Sequence, residues 1–303
     1  MEYTPELTKA LAELQRVTGI KLEVPGSTAT DNDLALEQIR NLIAAYKEKY
    51  NKTHFLQSLL TDQTALLDVN DRALRFHIDP EECRILMLVE TKAAMVDTVV
   101  EVLKNLFPVR TKTYIIPVTE RQIAILMPVK SKEGVDEEHR RLCDTIVATL
   151  NMEALVHVRM AYSTPITALT DLPFAFRENA LSLRVGRLFY SDREVFSPNR
   201  LGIGRLIYEL PMDLCKNFLR EIFGTDIPDA SDKEAIDVIN KFIQNNLNIA
   251  ETARQLHMHR NTLIYRLEQM ENRTGLDLRQ FEDAMTFRIA SMVMNYIYAR
   301  KET

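Results

Sequence analysis

Two histidines, two arginines, an asparagine, a threonine and a tyrosine crowd into the stretch HMHRNTLIYRLEQM, His257 to Met270. These side chains admit two chemistries. The first is metal ligation by His257 and His259. Their two-residue spacing puts them on different sides of a helix, and no Cys, Asp or Glu stands near enough in sequence to complete a site. The second is nucleic-acid reading. Arginine takes guanine O6 and N7 in a bidentate pair, and asparagine does the same with adenine. The hydroxyls of Thr262 and Tyr265 can donate to phosphate, and a helix N-terminus is itself an anion site. The residues placed for that role are His259, Arg260, Asn261, Thr262, Tyr265 and Arg266. The plain alternative is a solvated helix face that happens to hold arginine and asparagine. No catalytic set, metal site or cofactor motif is legible.

A reading face must be held from behind. Leu263, Leu267 and Met270 recur at helical spacing and supply an apolar seam. Before them, NIAETARQL predicts a helix of about two turns, with Asn248 as its cap and Glu251 three residues on in a capping-box arrangement. Ala253 is small where two helices must approach, and Ile249 and Leu256 face inward with it. The turn falls at His257 and Met258. Such turns favour glycine because φ is positive, a region histidine also tolerates. Short helix, tight turn and longer helix make a helix-turn-helix. A helix from Lys233 to Asn245, burying Ile236, Ile239, Phe242 and Ile243, precedes it. A helix from about Arg279 to Tyr298, striped by Phe281, Met285, Ile289, Met292 and Tyr296, follows it.

Upstream the character changes. CRILMLVE reads as a strand, KAAMVDTVVEVLKNLF as a helix, TKTYIIPV and QIAILMPV as a hairpin, Val135 to Leu150 as a helix, LVHVRMAYS as a strand, and Asp171 to Tyr190 as a helix with Pro173 in its first turn. The order β-α-β-β-α-β-α is a ferredoxin-like plan, an antiparallel sheet with helices on one face. Near the N-terminus, Pro25 and Gly26 interrupt a helical stretch. A long helix then begins near Asp31, with Asp31 or Asp33 as cap. Leu36, Ile39, Ile43, Tyr46 and Tyr50 form one face, and beyond Asn51 the stripe continues through Leu56, Leu59 and Leu60. That face serves either to pack within the chain or to pair two chains. After Leu201 come two short helices split at Pro211, then the polar stretch GTDIPDASD, the best linker.

The expected fold is therefore α+β and mostly helical. Residues 1–75 are an N-terminal helical region with a possible dimerising role, 76–195 an α+β domain, 196–231 a helical connector and linker, and 232–303 an all-α helix-turn-helix domain. With 46% hydrophobic residues the chain can bury a core, and its 8 glycines argue against a turn-rich all-β fold. Cys83, Cys143 and Cys215 are scattered, which fits a reducing cytoplasm and excludes a disulfide framework. No secretory pattern and no long apolar run is present, so no membrane role is expected. The net charge is -5, and the region from Asp232 to Thr303 holds 10 Lys+Arg against 10 Asp+Glu. A neutral domain binds DNA modestly as a monomer, so a homodimer reading two half-sites about 10–10.5 bp apart is expected.

The segment from Asn248 to Val293, and above all HRNTLIYRLEQMENRTGLDLR (His259 to Arg279), resembles the C-terminal helix-turn-helix of the PucR/CdaR family, bacterial transcription regulators of purine and sugar-diacid catabolism. The segment from about 80 to 195 resembles the GGDEF-like domain that precedes it in that family. The resemblance implies a cytoplasmic, sequence-specific regulator acting on double-stranded DNA, with a possible small-molecule effector. It also raises two other readings: a nucleotide-binding degenerate cyclase, or a helical interaction module without a DNA role. In an active diguanylate cyclase the hairpin carries a glycine pair and acidic residues for phosphate and metal. Here the turn is PVTERQIA, with Glu120 beside Arg121 and no glycine, so enzymatic activity is not expected. The first 75 residues match no sensor domain of the family.

Overall fold

The computed structural model describes residues 4–18, 20–22, 29–49, 52–62, 68–92, 96–108, 111–130, 136–228 and 232–301. Pro25, Gly26, Tyr50 and Asn51 lie outside these residues, as does the side chain of Tyr46. The chain divides into two compact units, Met1–Ala180 and Leu181–Thr303.

The first unit opens with α1 (Pro5–Thr18) and α2 (Ala29–Lys49), so Asp31 and Asp33 fall inside α2 rather than capping it. Leu7, Ala10 and Leu14 of α1 close over Ile39 and Ile43 of α2, with Leu36 beside them. Of the two roles open to the Leu36 stripe, packing within the chain is the one observed. α3 (Lys52–Leu60) buries Phe55, Leu56, Leu59 and Leu60, and packs against β2. α3 thus reaches the sheet, while α1 and α2 share a small core of their own. α4 (Val69–Arg75) follows.

The sheet uses β1 (Arg84–Thr91), β2 (Tyr114–Thr119), β3 (Gln122–Pro128) and β4 (Val158–Tyr162), in the order β2-β3-β1-β4. All three pairings are antiparallel. This is the order a β-α-β-β-α-β chain produces when the hairpin partner slots between the first two strands. α5 (Val96–Leu106) and α6 (Asp136–Glu153) pack against the strands and each other. The expectation of helices on one face alone needs correction. Ile85 to Val89 are all fully buried, and neighbouring side chains on a strand point to opposite faces, so β1 is covered on both. An unbroken apolar run such as ILMLV is the mark of two-sided burial.

α7 (Leu172–Phe189) begins in the first unit, where buried Asn179 donates to the Leu86 carbonyl at 2.9 Å. The second unit adds β5 (Val195–Phe196), which the sequence reading did not anticipate, and six helices: α8 (Ile203–Glu209), α9 (Met212–Phe223), α10 (Lys233–Gln244), α11 (Ile249–Gln255), α12 (Arg260–Thr274) and α13 (Phe281–Lys301). One core runs through it, from Val185 and Leu219 to Phe242, Leu267 and Phe287. The apolar stripe Cys215, Leu219 and Phe223 of α9 joins the same core.

α13 departs most from its expected stripe. Met292 and Tyr296 are buried, but so are Ala284, Phe287, Ala290, Val293, Met294 and Ile297, while Phe281 is 66% exposed. The helix is surrounded on most sides, and a central helix does not show a clean amphipathic period.

Candidate nucleic-acid interface

The helix-turn-helix is assembled by caps made of side chains that replace glycine. α10 ends with Asn246 at φ 54, the N–H of Asn246 on the Ile243 carbonyl and that of Leu247 on the Phe242 carbonyl. α11 ends the same way. His257 takes φ 51, its N–H reaches the Arg254 carbonyl at 3.3 Å, and the Met258 N–H reaches the Ala253 carbonyl at 3.0 Å. This is the Schellman pattern with histidine in the left-handed position. α4 repeats it with His77 at φ 54. A chain poor in glycine thus ends three helices on histidine or asparagine, which accept that region better than most residues.

The N-termini are equally specific. Asn248 Oδ1 accepts from the Glu251 N–H at 3.0 Å, as the sequence predicts. The reciprocal half of the capping box is not formed. The Asn248 N–H goes to the Asn245 carbonyl, and the Glu251 carboxylate turns to Arg254 and Gln255. Those hydrogen bonds, Arg254 first, hold the Glu251 carboxyl below its ordinary range. Thr252 is fully buried, yet its hydroxyl donates to the Asn248 carbonyl at 2.8 Å and accepts from Asn245 Nδ2 at 3.1 Å. α11 is therefore fixed to the end of α10 by side-chain hydrogen bonds as well as by packing.

α12 is capped by His259, whose Nδ1 accepts from the Asn261 N–H at 3.2 Å. In the neutral ring that leaves the proton on Nε2. Sequence reading placed His259 on the face but missed this role, because caps are sought among Ser, Thr, Asp and Asn. Leu263, Leu267 and Met270 are buried behind. His259, Arg260, Asn261, Thr262 and Tyr265 are exposed in front, and the first turn of α12 carries no acidic residue. Among the described residues, the side chains of Arg260, Asn261 and Thr262 make no hydrogen bond. The Tyr265 hydroxyl accepts from Gln269 at 2.9 Å.

Arg266 stands apart from the other five. It is half-buried, and its guanidinium donates to Glu234 of α10 at 2.8 Å. Its geometry is that of a strut between α10 and α12. If so, Arg266→Ala and Glu234→Gln should lower stability by similar small amounts, within about 1 kcal/mol for so exposed a pair. A DNA-affinity loss for Arg266→Ala much larger than for Glu234→Gln would show instead that the arginine touches DNA.

The other end of α12 is pinned twice. Arg273 donates to Asp232 at 2.7 Å and to the Asp226 carbonyl at 3.0 Å, so the polar stretch that reads as a linker is clamped to the helix. Hydrogen bonding to Asp232 above all raises the Arg273 pKa further. Gly275 closes the helix at φ 74, its N–H on the Glu271 carbonyl. A Cβ there meets nothing within 4 Å, so Gly275→Ala tests backbone strain alone. Its expected cost is about 1–2 kcal/mol in a urea titration. An unchanged midpoint would mean the turn relaxes out of that region. Arg254, on the first helix of the motif, has a side chain 74% exposed. Its guanidinium donates to the Glu251 carboxylate at 2.7 Å, one turn back on the same helix.

A tight helix pair with one polar, donor-rich face and one buried face defines a helix-turn-helix chain. Comparison with known families agrees. Residues 235–293 match the PucR C-terminal helix-turn-helix domain, and residues 61–185 match the GGDEF-like domain. The purine catabolism regulatory protein of Bacillus subtilis (strain 168) is 29% identical over 130 residues, 43% of this chain and 24% of that protein. The carbohydrate diacid regulator of Escherichia coli (strain K12) is 21% identical over 267 residues, 85% of this chain and 69% of that protein. The chain thus matches about a quarter of the first relative's length and about two thirds of the second's. The crystal structure of the regulator of polyketide synthase expression from Bifidobacterium adolescentis aligns over 96% of the chain at a TM-score of 0.38 and 14% identity. The chain thus carries, in order, a segment matching the GGDEF-like domain and one matching the PucR C-terminal helix-turn-helix domain. No described helix is long and apolar enough to cross a membrane.

Proposed function

We propose that the chain is a cytoplasmic transcription regulator that binds double-stranded DNA sequence-specifically through the N-terminal face of α12. One observation carries the reading. Five exposed side chains able to reach bases or phosphates surround a helix N-terminus whose first turn carries no acidic residue, on a helix whose opposite face is locked into a core. Arg260 and Asn261 are assigned to base edges, and His259, Thr262 and Tyr265 to phosphate or base. Arg266 is assigned to positioning. The regulator names of the relatives support the same class. No enzymatic step is assigned to the β2–β3 hairpin, whose turn at Glu120 and Arg121 offers no glycine for a phosphate to approach.

Homodimerisation belongs to this proposal, since one α12 spans few base pairs and its domain has no net positive charge. Three surfaces could pair two chains: the Leu36–Tyr50 stripe, the Phe281–Tyr296 stripe and the sheet-bearing unit. Ile39 and Ile43 of the first stripe and Met292 and Tyr296 of the second are buried within the chain. The pairing surface is therefore sought on the remainder of the sheet-bearing unit. Fluorescence anisotropy of the full chain on DNA from upstream of its own gene, against a scrambled duplex, is the direct test. A preference that persists at moderate salt is expected, and equal affinity for both duplexes would end the proposal. Light scattering of the same complex should give two chains per duplex. One chain per duplex would remove the dimer.

A further inference from the structure

We propose that a groove in the second unit binds a small organic polyanion carrying a flat ring, of nucleotide size. The groove encloses about 740 Å³, within the range of small-molecule sites. Arg184 and Arg187 line it from α7, Tyr208 from α8, and Tyr296 and Arg300 from α13, with Leu188 completing an apolar wall. Three arginines thus line one groove, and Arg184 and Arg187 also hold interactions within the protein. Arg184 and Arg187 are three positions apart and share one helical face. Guanidinium groups recognise phosphate and carboxylate through paired, charge-assisted hydrogen bonds.

A second observation points to a ligand of the same sign. Tyr296 is 2% exposed, and its hydroxyl accepts from Arg300 at 3.0 Å, while the Arg300 guanidinium also lies 5.4 Å from the Tyr296 ring centroid. That leaves the phenol proton to donate, and no acceptor for it stands among the described residues. An anion between Arg300 and Tyr296 supplies one. Tyr208 lies 5.6 Å from Tyr296, ring to ring, and gives the wall an aromatic surface for a flat ligand. Tyr296 also belongs to the core that holds Leu263 and Leu267 of α12, so occupancy would bear on the helix assigned to DNA. That regulatory consequence rests on the DNA-binding reading, whereas the binding itself does not.

Calorimetric titration of the full chain with ADP, inorganic pyrophosphate and adenosine tests the site. Saturable binding is expected for ADP, weaker binding for pyrophosphate and none for adenosine. Arg187→Ala and Arg300→Ala should each weaken ADP by about tenfold or more, with unchanged circular dichroism. Arg300→Lys should retain part of the affinity. No saturable binding of ADP or pyrophosphate at millimolar concentration, or binding indifferent to both alanine variants, overturns the proposal. The anisotropy assay repeated with ADP should show DNA affinity shifted about fivefold or more. ADP binding with unshifted DNA affinity would overturn the regulatory arm and leave the site standing. ADP binding by a chain that shows no DNA preference would leave the site standing and refute only the DNA reading.

Discussion

Phe287→Ala should remove about 3–5 kcal/mol from the stability of the second unit, a large share of what a domain of this kind possesses. The ring is fully buried in α13 and meets Phe223 of α9 edge to face, with centroids 6.3 Å apart. Truncation deletes the ring's transfer free energy, opens a cavity and breaks the aromatic pair. Because α9, α12 and α13 share this core, the loss reaches the helix assigned to DNA. Urea denaturation followed by circular dichroism reads it directly. Phe281→Ala, on the same helix but largely exposed, is the control and should stay within about 0.5 kcal/mol. A similar midpoint for the two variants would contradict the burial of Phe287.

The second large effect is on binding. Arg260→Ala should cost about 1–3 kcal/mol with the preferred duplex and relax the choice of base at one position of each half-site. The residue is the first of α12, is exposed, and makes no hydrogen bond within the described protein, so its removal should leave the fold intact. Thr262→Ala should behave differently, weakening all duplexes alike, as loss of a phosphate contact does. A panel of duplexes with single base changes separates the two patterns. Uniform weakening by Arg260→Ala would move that arginine to the backbone. No weakening at all would remove α12 from the interface.

Local signals decided much of the second unit. Asn248 ahead of Ile249 and Ala250, with Glu251 three residues on, marked the start of α11. Leu263, Leu267 and Met270 marked the buried side of α12, and His257 marked the turn between them. Each depends on neighbours within about one helical turn, so each is legible in a linear sequence. The antiparallel sheet of the first unit was legible for a related reason: a β-α-β-β-α-β chain with short connections has few ways to close a sheet.

Contacts between distant residues were decided only by the tertiary structure. Burial of β1 on both faces, the all-round burial of α13 and the closing of the Leu36 stripe by α1 each require a partner surface that no period within the element names. Arg266 illustrates the point within the site itself. On a helical wheel it belongs with Arg260 and Tyr265, yet Glu234, 32 residues earlier, draws its guanidinium onto α10. His259 likewise reads as one more polar side chain until its Nδ1 is seen to close the helix. Sequence determines which residues are able to form such bonds, because residue type and local period set donors, acceptors and faces. Which of them meet is set by the packing of whole elements, where burial of apolar area outweighs the small energy of any one surface pair.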